Sequence, residues 1–196
     1  FLGIMRFYTL VTEAGYGSYA RTLLLIMGFL SVFVSAVFIV RVGNYKRMLA
    51  YSSIENMGIV AIGLGIGGPG IFAALLHAAA HSLSKASFFL TSGNVLRIFK
   101  SRETEDVRGL LHRDPVTGWL WIACFAAIAG IPPFPIFLSE FLLVRAMFEC
   151  GAYSLAAVFF LLITIIVYGM GVSVFRMVFG GAERSAAPGR AAFLAW

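Results

Sequence analysis

Leu75-Leu76-His77-Ala78-Ala79-Ala80-His81-Ser82-Leu83-Ser84-Lys85 is the stretch on which the rest of the chain turns. It lies inside an otherwise apolar run of 26 residues, Ile71 to Leu96. At about 1.5 Å per residue, that run is long enough as a helix to cross a hydrocarbon core of about 30 Å. His77, His81 and Lys85 recur every fourth residue, so a helix stacks them as one polar stripe. Lys85 then lies roughly 16 Å from the nearer end, too deep to snorkel easily to the interface. An ammonium at that depth costs on the order of 3 kcal/mol on insertion scales, so it needs compensation or must lose its proton. Three titratable groups in line across a membrane imply a path for protons. The bland alternative is a pair of neutral histidines bonded to facing helices and a lysine in a structural ion pair with Glu55 or another carboxylate.

Composition independently places the chain in a membrane. Hydrophobic residues make up 60% and charged ones 12%, against about 45–50% and 25% in soluble domains. Nineteen Phe and 21 Gly suit close helix packing in lipid. The net charge of +6 does not mark a nucleic-acid surface, because the cations sit in short segments between apolar runs. Cys124 and Cys150 are isolated, which argues against an iron–sulfur cluster, structural zinc or a disulfide. No cofactor or metal motif is visible, and no catalytic residue is assigned.

The expected architecture is all-α, a multi-pass helical bundle. Spans are predicted at about 1–12 (partial), 22–40, 48–66, 71–96, 116–148, 152–175 and 191–196 (partial), in one transmembrane domain over 1–196. Glu13 to Arg21, with Gly15 and Gly17, reads as a loop. The partial spans at each end read as parts of neighbouring helices, and the chain as a piece of a longer membrane protein. Eleven cations fall on one side: Arg41, Lys46 and Arg47; Arg97, Lys100, Arg102, Arg108 and Arg113; Arg176, Arg184 and Arg190. The other side has Arg21 alone, so the segments 41–47, 97–113 and 176–190 are predicted to be cytoplasmic. Trp119 and Trp121 read as interface aromatics, and His112 with its charged neighbours as a solvated loop.

The region 116–148 is too long for one simple crossing and contains Ala129-Gly130-Ile131-Pro132-Pro133-Phe134-Pro135. Pro132, Pro133 and Pro135 remove amide donors and clash with preceding carbonyls, so the helix must break at 131–135. Broken helices persist at membrane depth where they are buried in protein or line a wet cavity, and transporters use them at ion sites. Glu140 follows five residues after Pro135, near a half-helix N-terminus that favours its anion, in a buried setting that favours its acid form. Its alternatives are capping of the break and pairing with Arg145. Glu55, in Ser52-Ser53-Ile54-Glu55-Asn56, is the third candidate, placed to reach a neighbouring helix's cation or to stay near the cytoplasmic mouth.

Two apparent motifs fail on context. Gly63-Leu64-Gly65-Ile66-Gly67-Gly68 satisfies G-x-G-x-x-G but ends an apolar helix, and no acid occurs between residues 57 and 102. His77 and His81 have zinc-protease spacing, but Ala78 stands where the general base is required.

Three stretches in order resemble one family. They are Lys46-Arg47-Met48-Leu49-Ala50-Tyr51-Ser52-Ser53-Ile54-Glu55-Asn56-Met57-Gly58, then His77 through Gly93, then Gly130-Ile131-Pro132-Pro133-Phe134-Pro135 leading to Ser139-Glu140-Phe141. Over roughly residues 20–178 the chain is similar to the antiporter-like subunits of respiratory complex I, membrane-bound hydrogenases and multisubunit sodium/proton antiporters. The Ser-Ile-Glu-Asn form leans toward hydrogenase-4 and formate-hydrogenlyase-type subunits. The resemblance implies two inverted five-helix repeats, of which this chain would hold the second, broken at Pro132–Pro135. It implies that His77, His81 and Lys85 lie on a hydrophilic proton axis with Glu140 at its outer end. Some relatives carry Lys where Glu140 stands, so this chain matches the carboxylate variety. The first repeat's glutamate and lysine are not in this stretch, so it is not expected to transport alone.

The leading expectation is a subunit that moves protons, sodium being the second candidate, across an energy-converting cell (inner) membrane. Its partners would be the lipid bilayer, other membrane subunits and a peripheral electron-transfer module. A standalone or multisubunit sodium/proton antiporter is the runner-up, and a passive scaffold subunit the third class.

Overall fold

In the computed structural model, residues 2–181 are described, and they form helices joined by short connections. Helix α1 (Leu2–Val11) runs through a π-turn at Thr12–Tyr16 into α2 (Gly17–Ile39). Then follow α3 (Tyr45–Ile66), α4 (Pro69–Phe99), the short α5 (Leu110–Arg113), α6 (Pro115–Ile128), α7 (Pro135–Glu149) and α8 (Tyr153–Phe179). No strand occurs among the described residues, only one isolated bridge between Asn44 and Glu103. The protein is an all-α membrane bundle. Leu2–Ile39, Tyr45–Ile66 and Tyr153–Phe179 are long and apolar enough to cross a bilayer. The anticipated partial span at 191–196, and the cations Arg184 and Arg190, lie outside the described residues.

Local chemistry sets the boundaries. Asn44 caps α3, its side-chain oxygen accepting from the amides of Lys46 and Arg47 at 3.0 and 3.2 Å. Gly67 and Gly68, at φ 73° and 49°, turn the chain from α3 into α4, whose first residue is Pro69. Asp114 caps α6 by accepting from the Thr117 amide (3.2 Å) and hydroxyl (2.8 Å). Those bonds, the amide's first, hold the exposed Asp114 carboxyl below its usual range.

Two expectations are corrected. Glu13–Arg21 is not a loop. The π-turn, with Gly15 at φ 88°, kinks the helix without ending it, and Arg21 lies inside α2 with Nε donating to the Tyr8 hydroxyl at 3.1 Å. Trp121 is not an interface residue. Two positions apart on a helix point about 200° apart, so Trp119 faces out while Trp121 is fully buried, edge-on to Phe88 and Tyr45. The charged residues of the 100–114 segment are solvated as expected, Arg102, Glu103, Glu105, Asp106, His112 and Arg113 all being exposed, while its backbone and apolar residues dock on the bundle. The Tyr45 amide donates to Arg102 O at 3.2 Å, the Thr104 amide to Gly43 O at 2.6 Å, and Val107 and Leu110 are fully buried.

Helices α2 and α3 meet backbone to backbone. A Cβ added at Gly58 would lie 2.8 Å from Gly28 O and 2.9 Å from a Val32 methyl. Gly58→Leu should therefore wedge the pair apart at a cost of about 1–3 kcal/mol. The check is the melting temperature of the full-length protein in detergent; an unchanged value would contradict this packing. The glycines of the rejected dinucleotide-like motif do the same work, Gly63 packing on Ala74 and Gly65 on Leu25.

At 31 residues α4 is the longest uninterrupted helix among those described. It is not one of the three apolar spans, because its polar residues lower its mean hydropathy. It packs between α3, α6 and α7, which keeps those residues away from lipid.

Candidate functional site

The polar stripe of α4 faces protein. His77, His81 and Lys85 are buried, as are Ser52, Glu55 and Asn56 on α3 and Ser139 on α7. His77 bridges the two flanking helices: Nε2 lies 3.0 Å from Asn56 Oδ1 and Nδ1 lies 2.9 Å from Ser139 Oγ. Ser139 is four residues past Pro135, so the first histidine of the stripe touches the half-helix that follows the break. One turn along α4, the His81 ring lies parallel to that of His77, centroids 6.5 Å apart, and its buried Nδ1 has no partner among the described residues.

Among the described residues Lys85 is held without a carboxylate. Nζ donates to Leu49 O and to Ser52 Oγ, and lies 5.6 Å from the centre of the Phe89 ring. The expected ion pair is replaced by a carbonyl, a hydroxyl and an aromatic face, which satisfy an ammonium's three donors without burying a second charge. Glu55 makes no ion pair within 4 Å among the described residues, yet it lies within electrostatic reach of both Lys85 and Glu140. The structure thus brings all five anticipated titratable residues into one neighbourhood.

The break is as abrupt as its prolines require. Helix α6 ends at Ile128, Gly130 adopts φ 63°, the Pro132–Pro133 bond is cis, and Phe134 is extended before α7 starts at Pro135. Phe134, the N-cap residue of α7, supplies no side-chain cap. The Glu140 carboxylate packs on Gly130, where an added Cβ would overlap Oε2 and come within 3.1 Å of Cδ. A cavity of about 600 Å³ opens beside it, between α7 and α8, lined by Phe137, Phe141, Phe148 and Phe159. Arg145 lines the same cavity but pairs with Glu149 at 2.8 Å, one turn further on, not with Glu140.

Sequence reasoning missed Asn56, Ser139, Ser52 and the Leu49 carbonyl. A signal existed for two of them: Ser52 and Asn56 are four apart on an apolar helix, the same spacing as the stripe they meet. Among the described residues no group of three or more His, Cys, Asp or Glu is placed to hold a metal ion.

Comparison with known proteins agrees with the fold. Residues 1–166 match the family described as NADH:quinone oxidoreductase/Mrp antiporter, TM. The chain is 35% identical over 195 residues to a hydrogenase-4 component F homolog of Methylacidiphilum infernorum, covering 97% of this chain and 40% of that protein. It is 35% identical over 156 residues to a Na(+)/H(+) antiporter subunit from Alkalihalophilus pseudofirmus, covering 79% of this chain and 31% of the relative. Among solved structures, a chain of respiratory complex I from Thermus thermophilus superposes with TM-score 0.79 at 28% identity, over 92% of this chain and 39% of that one. A chain of the Mrp complex from Dietzia shares the fold with TM-score 0.81 at 21% identity, over 91% of this chain and 34% of that one. The chain therefore spans about two fifths or less of the length of these relatives.

Proposed function

The chain belongs to the NADH:quinone oxidoreductase/Mrp antiporter transmembrane family, and on that premise we propose that it is part of a proton-translocating membrane subunit of an energy-converting oxidoreductase complex. The observation that carries this reading is the bridge at His77, which joins α3 to the half-helix of the break inside a buried polar line. From the break inward the line runs Glu140, Ser139, His77, His81, Lys85, with Ser52 and Glu55 beside Lys85. Its groups are nitrogen bases, hydroxyls and carboxylates, which exchange protons. His81 Nδ1, buried and with no hydrogen-bond partner among the described residues, adds a further basic nitrogen to that line.

In the mechanism, Lys85 changes charge as protons pass. Deprotonation costs it little, because its partners are a carbonyl and a hydroxyl and no carboxylate is left unpaired. Glu55, within reach of both Lys85 and Glu140, couples the two ends electrostatically. Glu140 takes the outer position, where the break gives backbone room for its carboxylate. Energy would come from electron transfer in partner subunits. Support for such partners comes from relatives that are a hydrogenase component and a chain of respiratory complex I. By the positive-inside rule the segments 41–47, 97–113 and 176–190 lie on the cytoplasmic side of a cell inner membrane.

Sodium transport is the second reading, favoured by the similarity to a Na(+)/H(+) antiporter subunit. Against it, a hard cation needs a cage of several oxygens, whereas this line is dominated by imidazoles and an ammonium. The test is the full-length protein in its complex, in sealed vesicles driven by electron donor. Vesicle acidification should be abolished by a protonophore and unchanged by removing sodium. Transport that requires sodium would overturn the proton reading.

A further inference from the structure

Resting on that reading, we infer that Ser139 is the partner that lets His77 change charge: the ring takes a proton from water and returns it to water at Nδ1 only, the Ser139 hydroxyl turning to bond both states, while Asn56 locks Nε2 in its protonated form. The argument is an inventory of donors and acceptors. Asn56 Nδ2 donates to Ser52 O at 2.6 Å, and a carbonyl only accepts, so the amide nitrogen must be on that side. Asn56 Oδ1 is therefore the atom that faces His77. An amide oxygen also only accepts, so Nε2, 3.0 Å away, carries hydrogen whatever the charge of the ring. Exchange is left to Nδ1, so His77 stores and returns a proton there and acts on the parallel His81 ring, 6.5 Å away between centroids, through its charge and not by handing the proton on.

Nδ1 faces a hydroxyl with one hydrogen and two acceptors in reach: His77 Nδ1 at 2.9 Å and Ile136 O at 2.7 Å. When His77 is neutral, the hydroxyl donates to the lone pair of Nδ1. When His77 is a cation, Nδ1–H donates to Oγ, and the hydroxyl hydrogen must turn to Ile136 O. Ser139 thus satisfies both charge states by rotating about one bond, which a purely donating or purely accepting residue does not do. Ile136 O is also the carbonyl that the Glu140 amide meets in a regular helix, so the rotation is felt one residue from the outer carboxylate. The other titratable groups around His77 are His81 and Lys85 on its own helix, Glu55 on α3 and Glu140 on α7. None of them makes a hydrogen bond to the ring.

Two measurements on the full-length protein in its complex test this. In 15N-histidine-labelled material, solid-state NMR with the His77→Gln variant as the assignment control should show Nε2 protonated at every pH and only Nδ1 changing. A neutral His77 protonated at Nδ1 would overturn the inference without any variant having to fold. In sealed vesicles, Ser139→Ala should lower proton translocation at least about tenfold, and Ser139→Thr, which keeps the hydroxyl, should restore most of it. Normal translocation in Ser139→Ala, with Lys85→Ala inactive, would overturn the role of Ser139 alone. Equal loss in the assembled Ala and Thr variants would also overturn it. Normal translocation in Lys85→Ala would overturn the transport reading on which it rests.

Discussion

Lys85→Ala, in the full-length protein within its assembled complex, is expected to reduce proton translocation by about a hundredfold or more, the scale of losing a positioned acid–base group, while electron transfer partly persists. Assembly should survive for a reason visible in the site. Leu49 O also accepts from the Ser52 hydroxyl at 3.2 Å and the Ser53 hydroxyl at 3.3 Å, so removing the ammonium leaves no orphaned carbonyl. Ser52 keeps its own donation to Leu49 O. What is lost is packing of the aliphatic stem, and Lys85→Met, which fills most of that volume, separates the two contributions. Lys85→Arg is the sharper control. Guanidinium stays protonated in proteins, so a cation that merely holds α4 to α3 would be rescued by Arg, whereas a group that must release a proton would not. All three variants are therefore expected to assemble and fail to translocate. Dye-reported vesicle acidification beside a separate electron-transfer rate reads both quantities. A normal ratio of protons moved to electrons transferred in Lys85→Ala would rule out a switching role.

How much of this was legible in the sequence depended on the kind of signal each feature leaves. Pro132, Pro133 and Pro135 act through their own covalent geometry, so the break could be placed between the halves that became α6 and α7. Gly67-Gly68-Pro69 marked the turn between α3 and α4 for the same reason. Gly15 misled because a glycine at positive φ serves a loop and a kinked π-turn equally well, and no local feature separates them. Trp121 misled because an aromatic near a helix end suits an interface by type, while its face is decided by what packs beside it. The same division runs through the site. His77, His81 and Lys85 announced themselves by period, but their partners are products of packing between helices. Leu49 contributes a backbone carbonyl, which has no sequence signature at all. Asn56 and Ser139 stood next to Glu55 and Glu140, the residues whose charge drew the eye. About 100° of helix rotation per residue turns each neutral neighbour, not the acid, toward His77. Lys85 was expected to need compensation, with a carboxylate as one candidate, because its cost was reckoned as that of an isolated ion. Three weaker partners at one point on α3 and its own helix meet that need instead.

Glu140 should separate from Lys85 in how its substitutions grade. Glu140→Gln keeps the outline that packs on Gly130, whose φ of 63° and missing Cβ let the carboxylate rest on the backbone of the break. The amide cannot release a proton, so the complex should assemble with translocation lowered at least about tenfold. Glu140→Asp keeps an ionisable group but draws it back by one methylene, roughly 1.5 Å, from Gly130 toward α7. Its translocation should fall between the native and Gln values, because the acid survives with poorer alignment. A structural account predicts another order. If Glu140 only braced the break, Gln, the better isostere, would outperform Asp. Near-normal translocation in both would remove it from the path. Failure of the Gln variant to assemble would point to an ionic bond, yet Arg145, the cation lining the same cavity, is already tied to Glu149 at 2.8 Å on an exposed helix face. An exposed pair of that kind contributes about 1 kcal/mol or less, so Arg145→Gln should leave assembly and translocation close to native. That insensitivity, beside a strong response at Glu140, is what a carboxylate working alone at the outer end of the axis requires.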